Sequence, residues 1–461
     1  MNKHLHFIAI GGAAMHNLAL ALQKNGYTIS GSDDEIMEPS LSRLKAAGLL
    51  PEKEGWYPEK IVAGLDGVIL GMHAREDNPE LLRAQSLGIP VFSFPEFLFE
   101  HSKNKKRVVI GGSHGKTTIT SMILHVLRLQ NFDFDYMVGA KIEGFETMVR
   151  LSEAPLIILE GDEYLSSAVD RRPKFHLYKG DIGLLSGIAW DHINVFPTFE
   201  NYLDQFRIFA DIIPSDGKLI YCLNDKEVNK IAKETKSNAG KISYSIPKNE
   251  IVDGITYLLT PFGKIQLSIF GEHNLLNLEG ARLVCNELGI MDEVFYKSIS
   301  SFKGAMRRLE LLAKSDSTSV YKDFAHSPSK LKATINAVRQ QFPKRKLIAC
   351  MELHTFSSLN ENFLDQYAGT MDDADFGLVY FNPHTVEHKK LKPVTEDIIK
   401  NAFKNSGIKV YTSSLALQKE LLSLAGDQSV FLLMSSGNFD GMDMSDLADK
   451  LAGIKTMIQT N

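Results

Sequence analysis

The chain has 461 residues, of which 44% are hydrophobic and 23% charged, with a formal net charge of −5. This length is too great for one hydrophobic core and predicts about three domains. The charge balance gives no reason to expect nucleic acid or an anionic membrane as a partner. No apolar run approaches the roughly 20 residues of a membrane span, and the N-terminus lacks the apolar core of a signal peptide. With three widely spaced cysteines, the composition predicts a cytoplasmic enzyme or binding protein.

The N-terminal hundred residues predict a βαβ unit of the dinucleotide-binding type. Its first strand runs into Gly11-Gly12, and its second strand ends in Gly31-Ser32-Asp33. A polar run over residues 102–106 has the composition of a linker. The predicted elements are a strand over residues 6–10, a helix over 13–24, strands over 27–30, 68–71 and 90–92, and a helix over 79–87.

The segment that follows predicts a site for a nucleoside triphosphate. An apolar strand over residues 108–110 runs through glycines into a helix over 118–129. Glycines here let backbone N–H groups turn toward phosphate oxygens, and the helix N-terminus adds its dipole. Lys116 then reaches the terminal phosphates, and the Thr117 hydroxyl is placed to bind Mg²⁺. The usual pattern has a glycine five positions before Gly115, where this chain has Ile110. The predicted ATP-binding residues of the loop are Gly111, Gly112, Ser113, His114, Gly115, Lys116, Thr117 and Thr118.

Polar groups follow two further strands, predicted over residues 156–159 and 182–188. After the first come Glu160, Asp162 and Glu163, and carboxylates this close repel unless a cation lies among them. Hard oxygen ligands beside a phosphate loop indicate Mg²⁺, and a solvated acidic loop is the alternative. After the second strand comes Asp191-His192. A histidine there is either structural, binds a second metal or orients the reacting carboxyl group.

A second junction is predicted near residues 300–311, and beyond it strands alternate with helical patterns. This alternation predicts another parallel α/β domain, so the predicted fold class is α/β throughout. The strands of this last domain are predicted over residues 320–323, 346–350, 376–381 and 429–434.

Six motifs in this order resemble the ATP-dependent Mur ligases of bacterial cell-wall synthesis. The resemblance covers nearly the whole chain and implies three domains: a Rossmann-like UDP-sugar-binding domain over residues 1–104, a central P-loop ATPase domain over 105–311 and a C-terminal Rossmann-like domain over 312–461. The motifs are Gly112-Ser113-His114-Gly115-Lys116-Thr117-Thr118, Glu160-Gly161-Asp162-Glu163, Asp191-His192, Gly271-Glu272-His273-Asn274-Leu275-Leu276-Asn277, Met306-Arg307-Arg308-Leu309-Glu310 and Asp323-Phe324-Ala325-His326-Ser327-Pro328.

The resemblance implies a role for particular residues. Lys116 would hold the γ-phosphate, while Thr117, Glu160 and His192 would be metal ligands. Asn274 lies where the family contacts adenine, Arg308 would lie near the phosphates, and Asp323 would bind the ribose. His326 is either structural or a ligand contact. The implied catalytic residues are Lys116, Glu160, His192 and Arg308, with ATP and Mg²⁺ as cofactors.

The N-terminal turn resembles the UDP-binding turn of the muramate-using members. It departs from their glycine pattern at Ala9 and Ala14, which are small enough to let a diphosphate approach. The implied UDP-sugar contacts are Gly11, Gly12, Ala13, Met15, Ser32 and Asp33.

The family's chemistry requires no protein nucleophile. A substrate carboxylate attacks the γ-phosphate of ATP to give an acyl phosphate and ADP, and an amine then converts the acyl phosphate to an amide with release of phosphate. The protein supplies positioning and positive charge. Some members carry a carbamylated lysine where this chain has Arg207, which cannot be carbamylated. The muramate-using branch also tends to lack that lysine.

Two stretches resemble the murein peptide ligases, which join L-alanyl-γ-D-glutamyl-meso-diaminopimelate to UDP-N-acetylmuramate. They are residues 164–175 and 434–442. The alternative is a ligase that adds L-alanine alone by the same mechanism. Arg171, Arg172 and Lys174 suit a multiply anionic substrate or else form a solvated loop. A monomer or weak homodimer is expected.

Two other classes of protein use some of the same features. A nicotinamide-dependent dehydrogenase would use the N-terminal βαβ unit, but it leaves the phosphate loop and Arg308 unexplained. A non-catalytic nucleotide sensor would keep the loop and lose Glu160 or His192, both of which are present.

Overall fold

The computed structural model describes residues 3–72, 74–304 and 308–454. Met306 and Arg307 of the fifth motif lie outside the described residues. The chain divides into two compact units. The first comprises Met1–Ile188, Thr198–Ser245 and Asn277–Ser298, and the second comprises Ala189–Pro197, Ile246–Leu276 and Ile299–Asn461.

A four-stranded parallel sheet begins the first unit. Its elements are β1 (His4–Ile8), α1 (Ala13–Lys24), β2 (Thr28–Ser32), α2 (Ser40–Ala46), β3 (Gly67–Leu70), α3 (Pro79–Ser86), β4 (Val91–Ser93) and α4 (Phe94–Ser102). The strand order β2-β1-β3-β4 confirms the predicted βαβ unit, and α1 has the predicted bounds. Strand β1 ends two residues before the predicted end, because Ala9 has a φ of 66° and turns the chain toward α1.

A second sheet of seven strands follows in the same unit. Its elements are β5 (Lys106–Gly111), α5 (Lys116–Leu129), β6 (Asp135–Met137), β7 (Val149–Arg150), β8 (Leu156–Glu160), α6 (Lys174–Tyr178), β9 (Ile182–Leu185), α7 (Phe199–Asp211), β10 (Lys218–Cys222), α8 (Lys226–Glu234) and β11 (Gly240–Tyr244). The order is β11-β10-β9-β5-β8-β6-β7, and only β7 is antiparallel to its neighbour. The carboxyl ends of β8 and β9 therefore flank the loop that follows β5.

Strand β9 ends at Leu185, three residues before the end predicted from the sequence. The N–H of Ser186 donates to the Gly111 carbonyl (3.1 Å), and the N–H of Ser113 donates to the Gly187 carbonyl (2.9 Å). These hydrogen bonds bind the segment after β9 to the phosphate loop instead of to another strand. The N–H of Ile188 then donates to the carboxylate of Asp225 (2.8 Å), the N-cap residue of α8.

The polar run over residues 102–106, predicted as a linker, connects α4 to β5 and is anchored at two positions. Ser102 is fully buried at the end of α4, and its hydroxyl donates to the Leu98 carbonyl (2.6 Å). The ammonium of Lys105 lies 2.6 Å from the buried carboxylate of Asp135.

The second unit contains two sheets, and the segment Asn277–Ser298 between them in the chain belongs to the first unit. The remaining elements of the chain are β12 (Asn249–Val252), β13 (Ile255–Thr260), β14 (Gly263–Leu267), α9 (Glu272–Glu287), α10 (Asp292–Ile299), β15 (Glu310–Lys314), β16 (Thr318–Asp323), α11 (Pro328–Gln341), β17 (Lys346–Glu352), α12 (Glu361–Leu364), β18 (Phe376–Tyr380), α13 (Pro383–His388), α14 (Glu396–Phe403), β19 (Lys409–Tyr411), α15 (Ser414–Ser423), β20 (Ser429–Met434) and α16 (Met444–Leu451). Strands β12, β13 and β14 form an antiparallel sheet.

The larger sheet has the order β15-β16-β20-β17-β18-β19 and confirms the predicted parallel α/β domain. Strand β15 is antiparallel to β16. Alternate residues of β17 enter two different apolar clusters: Leu347 and Met351 pack in one, Ile348 and Cys350 in the other. Both faces of this sheet are therefore covered, as parallel sheets require. Among the helices of the described residues, none is long and apolar enough to cross a membrane.

Asp225 is expected to stabilise the first unit more than an ordinary N-cap does. Its carboxylate accepts from Val228 N–H in α8 and also from Ile188 N–H. We expect Asp225→Ala to lower the free energy of unfolding by about 2 kcal/mol, because a cap is lost and a second donor is left without its acceptor. Thr198→Ala, which removes only the N-cap of α7, should cost about 1 kcal/mol. Urea denaturation of both variants tests this, and equal losses would contradict the double role.

Candidate active site

The phosphate loop makes a sharp turn that needs glycine at two positions. Gly112 has a φ of 136° and Gly115 a φ of 81°, conformations that L side chains rarely adopt. A side chain at Gly112 would also collide with the Ser186 hydroxyl, and one at Gly115 with the Asn277 amide. Ile110, which stands where the usual pattern has glycine, lies inside β5 and is fully buried. The departure from the pattern therefore leaves the turn itself unchanged.

Lys116 is the first residue of α5, and its ammonium contacts both the loop backbone and a carboxylate. Its ammonium lies 2.5 Å from a carboxylate oxygen of Glu163 and donates to the Gly112 carbonyl (2.5 Å). Burial by itself lowers the pKa of Lys116, but the carboxylates of Glu163 and Asp162 raise it above its ordinary value. The other oxygen of Glu163 accepts from the Tyr202 hydroxyl (2.9 Å). The loop thus presents a fixed positive charge.

The three clustered carboxylates have different partners. Glu163 pairs with Lys116, and Asp162 pairs with Lys174 (2.6 Å). Two lysines therefore relieve the repulsion from which the sequence indicated a metal ion. Glu160 instead accepts from the Thr117 hydroxyl (2.7 Å) and from the Gly139 N–H (2.6 Å).

Thr117 and Glu160 together fit a magnesium ion. Their oxygens lie 2.7 Å apart, one at the start of α5 and one at the end of β8. Mg²⁺ prefers such hard oxygens and completes its coordination with phosphates and water. Within the described ranges, no group of three or more His, Cys, Asp and Glu side chains is arranged to hold a metal. The arrangement suits an ion that enters together with a nucleotide.

The N-terminal turn is arranged around Asp33. The N–H of Gly11 donates to its carboxylate (2.7 Å), and a side chain at Gly11 would lie 2.9 Å from the same oxygen. Asp33 is 6% exposed, and burial raises its pKa to about 6. Gly12 is the N-cap of α1, Ala13 and Met15 lie in its first turn, and Ser32 is buried at the end of β2. The predicted UDP-sugar contacts therefore converge on one turn.

In the second unit, Arg308 and Asp323 lie close together. One oxygen of Asp323 accepts from the N–H of Leu309 (2.7 Å), the residue after Arg308. The guanidinium carbon of Arg308 lies 4.8 Å from the centroid of the Phe324 ring. Asn274 is 5% exposed, and its amide donates to the Phe270 carbonyl (2.9 Å).

Asp191, His192 and His326 meet in the same unit. The N–H of His192, which has a φ of 56°, donates to Asp191 (2.8 Å), and the ring of His326 lies 4.0 Å from Asp191. The Lys330 ammonium lies 3.4 Å from Asp191. Burial by itself raises the pKa of Asp191, but Lys330 and the two histidines lower it below its ordinary value. Burial and Lys330 lower the pKa of His326 to about 3, so its ring is neutral at pH 7.

Three residues at the phosphate loop were not assigned from the sequence. Glu163 belongs to the Glu160-Gly161-Asp162-Glu163 motif, but the sequence identified it only as one of three clustered carboxylates. Asn277 closes another motif, yet the sequence analysis assigned a role only to Asn274. Ser186 had no sequence signal, because a serine after a strand is common and its hydroxyl bonds loop carbonyls only in the folded chain.

Three family models match the chain. They are "Mur ligase family, catalytic domain" over residues 4–106, "Mur ligase middle domain" over 110–285 and "Mur ligase, glutamate ligase domain" over 307–437. The UDP-N-acetylmuramate–L-alanine ligase of Sulfurihydrogenibium sp. is 30% identical over 98% of this chain and 97% of that protein. The chain belongs to the Mur ligase family. It is therefore an ATP-dependent ligase that forms amide bonds in peptidoglycan synthesis.

Further relatives and solved structures are similar to this chain. The UDP-N-acetylmuramate–L-alanine ligase of Persephonella marina is 31% identical, over 79% of each chain. Among solved structures, a murein peptide ligase from Psychrobacter arcticus has a TM-score of 0.65 at 22% identity, over 99% of this chain and 100% of that one. The UDP-N-acetylmuramate–alanine ligase of Thermotoga maritima has a TM-score of 0.69 at 18% identity, over 95% and 97%. These structures establish the shared fold, which confirms the predicted three-domain α/β architecture.

Lys116 is expected to have both a chemical and a structural effect. We expect Lys116→Ala to slow ligation by roughly 10²- to 10³-fold, because a preorganised charge at the phosphates is lost. The variant should also melt at a lower temperature, because the buried Glu163 carboxylate loses its ammonium partner. Phosphate release and thermal melting measure the two effects.

The double variant Lys116→Ala/Glu163→Gln separates these effects. It should regain much of the lost melting temperature, because glutamine is neutral and still accepts from Tyr202, while ligation stays slow. Near-parental turnover in either variant would show that the Lys116 ammonium takes no part in the reaction.

Proposed function

We propose that this Mur ligase joins the tripeptide L-alanyl-γ-D-glutamyl-meso-diaminopimelate to UDP-N-acetylmuramate in peptidoglycan recycling. The observation that carries the proposal is the segment over residues 164–175, which resembles the corresponding part of the murein peptide ligases. It directly follows Glu163 and is tied back to the acidic cluster through the Lys174–Asp162 ion pair. Its last residue, Phe175, is fully buried and stacks on Phe209 with ring centroids 4.9 Å apart.

Charge in this segment is consistent with an anionic peptide. Arg171 is exposed, whereas Arg172 forms an ion pair with Asp170 (2.7 Å) and Lys174 pairs with Asp162. Arg171 and Arg172 offer guanidinium groups of the kind that bind carboxylates. The tripeptide carries several carboxylates, and L-alanine carries one.

In this proposal the residues of the first unit act on the carboxylate and the phosphates. The turn at Gly11, Gly12, Ala13, Met15, Ser32 and Asp33 holds the UDP-sugar, and the loop from Gly111 to Thr118 holds the phosphates of ATP. Lys116 stabilises the charge that develops as the muramate carboxylate attacks the γ-phosphate. Mg²⁺, when bound at Thr117 and Glu160, neutralises phosphate charge and orients the transferring group.

The second unit contributes the remaining roles of the proposal. Arg308 binds near the phosphates, Asp323 binds the ribose, Asn274 binds adenine, and His192 is a further metal ligand. The incoming amine attacks the acyl phosphate and displaces phosphate to form the amide. Water must be excluded until then, because it would hydrolyse the activated carboxyl group.

A magnesium titration tests the metal assignments. Glu160→Gln should require more Mg²⁺ for half-maximal activity and should turn over more slowly, because a neutral amide oxygen is a weaker ligand than a carboxylate. His192→Ala should shift the curve in the same direction. Asp162→Asn, which alters the neighbouring carboxylate paired with Lys174, is the matched control and should leave the Mg²⁺ requirement near that of the parent. A parental activation curve for Glu160→Gln would place that residue outside the metal shell.

The second candidate function is UDP-N-acetylmuramate–L-alanine ligase. The observation that favours it is the name of the relatives at about 30% identity, which extend over nearly the whole chain. Both functions use the same ATP site and the same chemistry, so only the amine distinguishes them.

The preferred amine is tested by phosphate release with ATP, Mg²⁺ and UDP-N-acetylmuramate. We expect kcat/KM to be much larger with the tripeptide than with L-alanine, because a site built for a tripeptide loses orienting binding energy when only alanine occupies it. Omitting the amine gives the background rate. A kcat/KM for L-alanine that equals or exceeds the value for the tripeptide would make this chain the alanine-adding enzyme.

A further inference from the structure

Both polar atoms of the Asn17 side-chain amide form hydrogen bonds within the first unit. It lies on α1 and is fully buried. Its nitrogen donates to the Ala13 carbonyl (2.8 Å) and to Nε2 of His16 (3.0 Å). Its oxygen accepts from the Arg43 guanidinium (3.0 Å) and from the Met148 N–H (3.2 Å). These hydrogen bonds fix the orientation of the buried amide. Moving a partner away would leave a buried polar atom without its hydrogen bond.

One of these partners, Ala13, belongs to the turn proposed to bind the UDP-sugar, and a second, His16, bonds to that turn. Nδ1 of His16 donates to the Gly12 carbonyl (2.9 Å), and Nε2 accepts from Arg43 (3.1 Å). Burial lowers the pKa of His16, which keeps the ring neutral and its Nε2 an acceptor. His16 and Asn17 therefore fix the carbonyls of Gly12 and Ala13, the N-cap and the first residue of α1.

Met148 carries the connection into the ATP-binding sheet. It closes the loop between β6 and β7, where its carbonyl accepts from the Val138 N–H (3.0 Å). The N–H of the next residue, Gly139, donates to Glu160 (2.6 Å). A side chain at Gly139 would come within 2.9 Å of Glu160 Oε1, so only glycine allows this approach. The Gly139 N–H donates to Oε2 of Glu160, and Oε1 accepts from the Thr117 hydroxyl.

We propose that Asn17 is a positioning residue that couples the UDP-sugar turn to the Mg²⁺-ATP site. Hydrogen bonds join Asn17 to Met148 and Met148 to Val138, and the next residue along the chain, Gly139, bonds to Glu160. A diphosphate that fixes the first turn of α1 also fixes Asn17, and through these contacts it fixes the carboxylate proposed to bind Mg²⁺. Coupling of this kind is carried by contiguous, mutually dependent contacts. The inference rests on the proposed function, since both ligands must bind where that function places them.

The test measures the coupling itself by calorimetry. The Kd of a non-hydrolysable ATP analogue with Mg²⁺ is determined with and without saturating UDP-N-acetylmuramate, and the ratio is the coupling factor. We expect a factor of roughly 5 to 150 for the parent enzyme. Asn17→Ala should reduce it by roughly two- to thirtyfold. A merely structural role would lower the melting temperature without moving this ratio.

Asn25→Ala is the matched control. Asn25 caps the C-terminal end of the same helix and donates to the Leu151 carbonyl (2.6 Å), so it joins α1 to the same region without contacting the turn. Its coupling factor should equal that of the parent. An equal loss in Asn25→Ala and Asn17→Ala would show that general loosening of α1 is responsible and would overturn the proposal.

Gly139→Ala disrupts the contact between Gly139 and Glu160 and replaces Asn17→Ala as the test if that variant does not fold. It should reduce the coupling factor while leaving UDP-N-acetylmuramate binding without nucleotide near the parental Kd. A parental factor in either variant, or a factor of one in the parent, overturns the coupling role and leaves the proposed function intact. Failure of the parent to bind UDP-N-acetylmuramate at all overturns the proposed function itself.

Discussion

The buried ion pair between Lys116 and Glu163 is the interaction on which the proposed phosphate site depends. A lysine with this little exposure keeps its charge only if an anion lies beside it, since burial by itself would favour the neutral amine. Glu163 provides that anion, and Tyr202 holds Glu163 in place. The ammonium also bonds the Gly112 carbonyl, so the pair fixes the backbone of the loop together with its charge.

The same pair explains how three carboxylates coexist after β8. Lys116 and Lys174 compensate Glu163 and Asp162, so the negative charge of this loop is divided between separate cations. Glu160 is bonded instead to a hydroxyl and a backbone N–H. Each of these is a neutral donor, and a divalent cation would compete with them far better than with an ammonium. The division of partners therefore distinguishes Glu160 from its two neighbours within one short motif.

Backbone geometry accounts for the departures from glycine patterns. Ile110 stands in place of a loop glycine, yet it completes a buried strand, and the turn is made by Gly112 and Gly115. Ala9 has a positive φ where the related turn has glycine, which an alanine adopts only at a cost of about 1–2 kcal/mol. The rest of the fold must offset that cost. Ala9 packs closely against Gly71, where a side chain would come within 2.8 Å of the Ala9 Cβ.

By itself, the sequence determined the fold class, the phosphate loop and, to within two residues, most of the strands that it predicted, because these follow from local periodicity and from glycines at fixed spacing. It also placed Glu160 and Thr117 at strand and helix ends. Only the tertiary structure decided which carboxylate pairs with Lys116, that β9 stops at Leu185, and that Asn17 connects to Glu160 through Met148. The Lys116–Glu163 contact joins residues 47 positions apart, and the Asn17–Met148 contact joins residues 131 positions apart. No local pattern encodes them, since each depends on which strands become neighbours in the sheet.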